Sequence, residues 1–375
     1  MRRLIYRAPE ERLKLDRKVM VAMSGGVDSS VAAFLLKEQG WDCAGVTMKL
    51  FENEDVGIEE EDSCCSIHDV EDARLAAHGI GIPHYVFNMA REFEENVVEK
   101  FVHEYSAGRT PNPCIDCNRY LKFDRLLEKA RAAGYDRIAT GHYARVDRSR
   151  SGRFLLRKAV DDSKDQSYVL YAMTQKQLEL TLFPLGGLFK REVREIARQE
   201  GLRTASKPES QDICFVRDGD YADFIERRTG NAAGTGDFID REGAVIGSHM
   251  GAIHFTIGQR RGLGMGFGER KFVVAKNMEK NSVTLGDEDD LLVKSLYADN
   301  INLIASDRVD GEMRMSARTR YRQNERAVVV SMAGSDIIKV EFEYPQKGVA
   351  AGQAVVLYDG DVVFGGGTIR ETRTE

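Results

Sequence analysis
Between residues 20 and 200 the chain alternates short apolar runs with stretches in which apolar positions recur at helical spacing. The run at 20–23 has the length of a buried strand. Val31, Ala32, Phe34, Leu35 and Leu36 then follow a helical period until Gly40 closes it. Further strands are expected at 42–50, 83–88 and 137–140, with 154–158 as the return strand of a hairpin. Helices are expected at 91–105, 122–133, 176–182 and 190–200, and another begins with Val70, Ala73, Leu75, Ala76 and Ala77. Such alternation predicts an α/β fold, a doubly wound and mostly parallel sheet whose ligands gather at the carboxyl ends of the strands. The texture changes near 215–230, and glycines and short polar segments dominate 230–251. From Phe272 onward short alternating strands such as 327–331, 337–342 and 354–358, with turns like Asp359-Gly360, predict a small β-barrel. The expected organisation is a basic arm at 1–17, a catalytic domain at 18–218, a central linking domain at 219–284 and a C-terminal barrel at 285–375.

The first strand and helix are joined by Ser24-Gly25-Gly26-Val27-Asp28-Ser29-Ser30. Two glycines permit a tight turn with inward amides, and the helix N-terminus adds donors, so a polyphosphate is the expected guest. The stretch is neither GxGxxG nor GxxxxGKS, which argues against a dinucleotide site or a Walker-type motor. It resembles the SGGxDS pyrophosphate loop (PP-loop) of ATP pyrophosphatases, enzymes that join AMP to a substrate oxygen and release pyrophosphate.

Charge and composition change this picture only locally. At 375 residues the chain is long enough for two or three domains. Its formal charge of -6, from 54 basic and 60 acidic residues, does not announce a nucleic-acid partner and does not exclude one, because local patches bind phosphate. Arg308, Arg314, Arg318, Arg320, Arg322 and Arg326 crowd one part of the barrel beside Asp310, Glu312 and Glu325. They form either a solvated face or a phosphate-backbone contact. No apolar stretch has the length of a membrane span and no apolar signal segment opens the chain, so a cytoplasmic protein is expected. The acidic stretch 52–62 reads as a solvated loop.

Six cysteines, Cys43, Cys64, Cys65, Cys114, Cys117 and Cys214, do not suggest a disulfide scaffold in a chain of this size. None lies in the last third, which hints at thiol chemistry in the N-terminal part. Cys64, Cys65 and His68 would need further ligands to hold a metal. Asn112-Pro113-Cys114-Ile115-Asp116-Cys117 has two prolines in its approach, Pro111 and Pro113, so Cys117 is expected on a defined loop. Gly141 would let backbone approach a nucleotide, while His142 is either structural or a contact. The polar string 161–168, with Lys164, Asp165 and Gln166, fits a solvated turn or a substrate contact.

With GRTPNPC, CNRYLKF, ATGHYAR, KDQSY, SQDICF and HFTIGQRRGLG in this order, the chain resembles the bacterial tRNA-specific 2-thiouridylases. These enzymes put sulfur on the wobble uridine of certain tRNAs, and the likeness runs from residue 19 to the end. The resemblance implies ATP over Ala22, Met23, Ser24, Gly25, Gly26, Val27, Asp28 and Ser29, with Met48 and Gly141 near the adenosine. It implies target-base contact at Asn112, Pro113 and Cys114, and tRNA contact at Lys164, Asp165, Gln166, His142, Arg320, Tyr321 and Gln353. Cys117 and Cys214 match the two sulfur-handling cysteines of the family. Its partners would be a tRNA with a wobble uridine, a persulfide-donating sulfur carrier protein or desulfurase, and an external reductant.

The chemistry is arguable independently. Oxide is a hopeless leaving group at a pyrimidine C2, and adenylation converts it to AMP. The loop would hold departing pyrophosphate while Mg²⁺, with Asp28, offsets charge. Many family members carry aspartate where this chain has Cys114. Cys114, Cys117 and Cys214 are therefore alternatively three ligands of an iron–sulfur cluster of the 4Fe–4S type. Two other functions compete: a different ATP pyrophosphatase acting as ligase or synthetase, and a non-catalytic, nucleotide-dependent RNA-binding protein.

Overall fold
The computed structural model describes residues 17–51, 67–207, 213–216, 220–230 and 234–374. Of the sequence expectations, most of the basic arm, the acidic stretch 52–62, Cys64 and Cys65 lie outside these residues. In chain order the elements are β1 Lys18–Ala22, α1 Val27–Glu38, β2 Asp42–Lys49, α2 Ile67–Ile80, β3 His84–Asn88 and α3 Ala90–Phe93. A π-helical turn Glu94–Val98 leads into α4 Glu99–Ser106; α5 Pro113–Asp116 continues through a π-helical stretch Cys117–Arg125 into α6 Leu126–Ala132. Next come β4 Arg137–Ala139, the hairpin β5 Ala144–Arg148 and β6 Phe154–Lys158, α7 Ser167–Leu170, α8 Gln175–Leu180, β7 Thr181–Leu182, α9 Lys190–Gln199 and a 3₁₀ turn Arg203–Ser206.

The described chain groups into two compact units. One contains the residues up to Phe93 and Cys117–Cys214; the other contains Glu94–Asp116 and Phe215 onward. In the first, five strands form a parallel sheet in the order β3-β2-β1-β4-β7. Val19, Met20 and Val21 are all fully buried, as expected for a central parallel strand covered on both faces. Val19, Val21 and Met23 pack with Ala33 and Leu36 of α1 and Ala73, Ala76 and Ala77 of α2. Val27, Val31 and Ala32 on α1 pack with Val193 and Ala197 of α9. The chain runs β1, β2, β3 to one side and then returns to place β4 on the other flank of β1. The switch point where ligands bind in such sheets therefore falls at the carboxyl ends of β1 and β4.

The second unit holds α10 Tyr221–Thr229, then β8 Gly236–Ile239, β9 Val245–His249, β10 Phe272–Asn277 and β11 Ser282–Gly286 in one sheet, ordered β10-β11-β8-β9. Phe238, Phe255, Leu263, Val273, Val283 and Leu285 form its core. Six further strands, β12 Leu292–Leu303, β13 Met313–Arg318, β14 Arg326–Met332, β15 Ile338–Lys347, β16 Ala354–Asp359 and β17 Val362–Arg373, pair antiparallel. They close into a barrel because β12 pairs with both β15 and β17. Alternate residues such as Val328 and Val330, or Ile338, Val340 and Phe342, point into the barrel core.

One expectation is corrected. Cys117 does not sit on a proline-stiffened loop; a helix already begins at Pro113. Proline at the first helical position lacks only an N–H that would have no partner there, and the Asn112 carboxamide accepts the Cys114 N–H at 3.2 Å, the geometry of an N-cap.

Candidate active site
The loop after β1 is shaped by its glycines and closed by its hydroxyls. Gly25 has φ +72°, and a Cβ there would lie 2.5 Å from the Asp69 carbonyl oxygen, so only glycine fits. Ser29 Oγ accepts the Ser24 N–H at 3.2 Å and donates to the Gly26 carbonyl at 3.1 Å, and Ser30 Oγ donates to that carbonyl at 2.9 Å. The hydroxyls thus hold the turn, and the backbone amides ahead of α1 are left to meet an anion. Ala22 ends β1, and the Met23 N–H continues the sheet by donating to the Val46 carbonyl at 2.8 Å. Met48 is half-buried near the carboxyl end of β2. Gly141 follows β4, and a Cβ on it would stand 2.8 Å from the Ser29 nitrogen, so β4 delivers bare backbone against the first turn of α1.

Asp28, on that first turn, is held by two neighbours. Lys190 Nζ donates to both of its carboxylate oxygens at 2.7 Å, and the Tyr143 hydroxyl donates to Oδ1 at 2.8 Å. The ammonium also lies 5.7 Å from the centre of the Tyr143 ring. Lys190 is itself fixed where α9 begins, its N–H donating to Asp161 Oδ2 at 2.9 Å. Burial pushes the Asp161 carboxyl up, but the Lys190 amide and the Ser163 hydroxyl and amide outweigh it and hold the group below its usual range. The Tyr143 N–H donates to Gln166 Oε1 at 2.9 Å. Gln166 therefore supports the residue that supports Asp28. Asp165 is buried, and its carboxylate accepts the Ala159 N–H and the Ser167 N–H and hydroxyl. The neighbouring Lys164 is half-buried.

Cys114 is exposed on α5, Cys117 is buried at the start of the π-helical stretch, and Cys214 is half-buried. Asn118, beside Cys117, donates through Nδ2 to the buried Val169 carbonyl at 3.0 Å, which locks the Cys117 helix to α7. His142 packs against the rings of Phe123 and Phe183, with Nδ1 2.7 Å from the Thr140 hydroxyl. Burial, aided by Lys122, pushes its pKa well below the usual histidine value, so it is a neutral ring at physiological pH. In the second unit Gln353 Nε2 donates to the Thr110 carbonyl at 2.8 Å, and the Thr110 N–H donates to the Ala351 carbonyl at 2.9 Å. Those bonds anchor the segment that carries Asn112, Pro113 and Cys114. Arg320 and Tyr321 are exposed on the turn between β13 and β14, the Arg320 guanidinium lying flat against Gly348. Among the described residues no three His, Cys, Asp or Glu side chains are grouped to hold a metal ion.

Comparison with known proteins bears on this arrangement. Three family models match in succession: a tRNA methyl transferase HUP domain over residues 17–218, a tRNA methyl transferase PRC-barrel domain over 222–287 and an aminomethyltransferase beta-barrel domain over 293–369. The tRNA-specific 2-thiouridylase MnmA of Clostridioides difficile is 48% identical over 96% of this chain and 99% of its own length. The enzyme of the same name from Lachnoclostridium phytofermentans is 49% identical over 94% of this chain and 99% of its own. The chain belongs to the tRNA-specific 2-thiouridylase family. As a 2-thiouridylase it carries the ATP pyrophosphatase loop on the parallel sheet and a closed β-barrel at the other end.

Four residues around the 2-thiouridylase loop escape sequence reasoning: Tyr143, Lys190, Asp69 and Lys207. Tyr143 stands inside the GHY motif and could have been found there. Lys190 looks like the polar first residue of a helix, and only folding brings it 162 positions back to Asp28. Lys207 Nζ reaches Asp69 Oδ1 and Asp72 Oδ2, each at 2.6 Å, and no local signal marks that contact.

Proposed function
We propose that this protein is an ATP-dependent tRNA uridine 2-sulfurtransferase that thiolates the wobble uridine of tRNA through an adenylated C2 oxygen, releasing AMP and pyrophosphate. The observation that carries the proposal is the pairing, in one compact unit, of a pyrophosphate loop with Cys117 and Cys214, in a chain 48% identical to a tRNA-specific 2-thiouridylase over nearly its whole length. The words "methyl transferase" in the matching models do not fit this unit as well, because its loop is built for a polyphosphate leaving group.

The loop amides at residues 24–29 would bind the β- and γ-phosphates, with Met48 and Gly141 beside the adenosine. Attack of the uridine O2 on the α-phosphorus expels pyrophosphate and leaves AMP as the group to be displaced at C2. Lys190 is the cation nearest the loop's own carboxylate and can move onto the phosphates as charge builds there. Asp28 fits a magnesium-bearing nucleotide, since it is the loop's carboxylate and is already balanced by a mobile lysine; Mg²⁺, when bound, would neutralise phosphate charge. Cys214 would carry a persulfide, and its terminal sulfur attacks C2 as AMP departs. Cys117 thiolate then attacks Cys214 Sγ, breaking the S–S bond and leaving the second sulfur on the base. The product is a Cys117–Cys214 disulfide, which a two-electron reductant must reopen. The target uridine leaves its stack most cheaply from a loop such as the anticodon, and the segment 112–114 would meet it there. Exposed Arg320 and Tyr321 on the barrel, together with neutral His142, Lys164 and Gln353, are assigned to tRNA. A persulfide-donating carrier or desulfurase completes the cycle, and a tRNA substrate places the reaction in the cytoplasm. Among the described residues no helix is long and apolar enough to cross a membrane.

The test is thiolation of an unmodified tRNA transcript by anaerobically purified protein with ATP, Mg²⁺ and a persulfide donor, with iron measured on the same sample. Sulfur on the wobble uridine with iron-free protein, abolished in Cys117→Ser and Cys214→Ser, is the expected result. Thiolation that appears only after cluster reconstitution and needs Cys114 would replace the persulfide route by a cluster route. Pyrophosphate release without tRNA and without either cysteine would point to a ligase instead.

A further inference from the structure
We propose that Lys207 is a positioning residue which, through Asp69, links the state of the phosphate loop to the segment that leads to Cys214. The inference rests on the assignment of ATP to that loop and goes beyond it.

Asp69 touches two things at once. Its backbone is packed directly against Gly25: a single added carbon on Gly25 would stand 2.5 Å from the Asp69 carbonyl oxygen and 3.1 Å from its Cα. The loop therefore cannot shift toward α2 without moving the first turn of that helix. The Asp69 side chain, in a residue only 7% exposed, is ion-paired to Lys207 at 2.6 Å, and the same ammonium bridges to Asp72 at 2.6 Å. Burial works against the Lys207 charge, but the two carboxylates outweigh it and hold the ammonium above the ordinary lysine range.

Lys207 stands at the end of the 3₁₀ turn Arg203–Ser206, its N–H donating to the Thr204 carbonyl at 3.1 Å. Leu202, just ahead of that turn, is buried with Val27 and Val31 at the start of α1. The root of the segment is thus fixed twice to the nucleotide-binding framework, once by apolar packing and once by this ion pair. Cys214 follows seven positions after Lys207. Two catalytic tasks must be ordered in time, because a persulfide exposed before the base is activated is lost to other electrophiles. A contact chain running from loop to Asp69 to Lys207 is a physical means of imposing that order.

The test uses the full-length protein and α,β-methylene-ATP, which cannot be cleaved between the α- and β-phosphates. The rate of Cys214 alkylation by iodoacetamide is followed by mass spectrometry with and without the analogue, and analogue binding is measured separately by calorimetry. In the wild type the analogue should change the Cys214 rate by about threefold or more. In Lys207→Met the analogue still binds while the Cys214 rate becomes the same in both conditions, and Lys207→Arg, which can bridge both carboxylates, restores the difference. A purely structural role would lower the melting temperature and leave the nucleotide effect in place; that result overturns the proposal. Should Lys207→Met fail to fold, Asp72→Asn keeps the buried pair and weakens only the bridge, and an undiminished nucleotide effect there overturns it equally. A wild type that binds the analogue but alkylates at one rate sinks this inference alone. A wild type that does not bind the analogue sinks the ATP assignment as well.

Discussion
Asp28 and Lys190 form an ion pair in which each residue is shielded from solvent, and the lysine is the more deeply buried partner, at 11% side-chain exposure against 30%. A cation held this close to a phosphate-binding turn serves developing charge better than one recruited from solvent, because its reorganisation is small. Lys190→Met should lower the rate of tRNA-dependent AMP formation by about 100-fold, the scale of losing one such electrostatic group. Single-turnover release of labelled AMP measures it, and a loss under about threefold would remove Lys190 from the phosphate site. Lys276 behaves in the opposite sense. Its buried Nζ has no hydrogen-bond partner and lies 5.9 Å from the centre of the Tyr105 ring, and burial brings its pKa down to about 8. The folded protein binds that proton only below about pH 8, whereas the unfolded chain keeps it to about pH 10.5. Stability from this group therefore rises with pH between those values, and the full penalty is present below pH 8. Lys276→Met should stabilise the protein by about 1–3 kcal/mol at pH 7, with the gain vanishing toward pH 10.5. Urea midpoints at pH 7 and pH 9.5 report it. Neither lysine is legible in the sequence, since each owes its chemistry to residues far away in the chain.

Hydrophobic period carried the elements well. The strands at 18–22, 42–49, 84–88 and 154–158 and the barrel strands follow their apolar spacing, because a strand's buried side is written every second residue. The helix from Pro113 was not legible as such, since its prolines and polar residues look like a loop until Asn112 is seen capping it. The closure of the barrel was equally silent. β17 carries Gly365, Gly366 and Gly367, and a Cβ on Gly365 would fall 2.4 Å from the Asn302 carbonyl, one on Gly367 2.7 Å from that of Asp299. Bare backbone is what lets β17 lie so close on β12 and seal the barrel. Gly367→Val should therefore destabilise the protein by about 2–4 kcal/mol, the range for a clash that backbone cannot relieve. A calorimetric scan checks it, and a neutral outcome would mean that β12 gives way without cost.

At the scale of the whole molecule, function divides between a unit that handles nucleotide and sulfur and a barrel that presents arginine. On the barrel Arg318 is tied to Glu325 at 3.0 Å and Arg308 to Asp310 at 2.6 Å, whereas Arg314, Arg322 and Arg326 are exposed. The bland and the sharp account of the arginine cluster thus each hold for part of it. If the exposed members meet phosphates, Arg322→Ala with Arg326→Ala should weaken tRNA binding for all sequences alike and reduce the slope of log K against log salt by about 1 to 2. Filter binding across a salt series decides it, and an unchanged slope would return these residues to the solvated surface.

The sequence by itself determined the class of fold, the phosphate loop and the two cysteines, because all three are written in neighbouring residues: a period of two or of 3.6, a glycine turn before a helix, a thiol in a fixed motif. Only the tertiary structure decided which residues serve that loop. Gly141 is set against Ser29, Lys190 and Tyr143 against Asp28, and Asp69 between Gly25 and Lys207. It also decided that residues 94–116, which precede Cys117 directly, belong with the barrel's unit and not with the sheet. The physical reason is common to these cases. Close approach and charge pairing depend on distance in space, and distance along the chain carries no record of them once the polypeptide has turned back on itself.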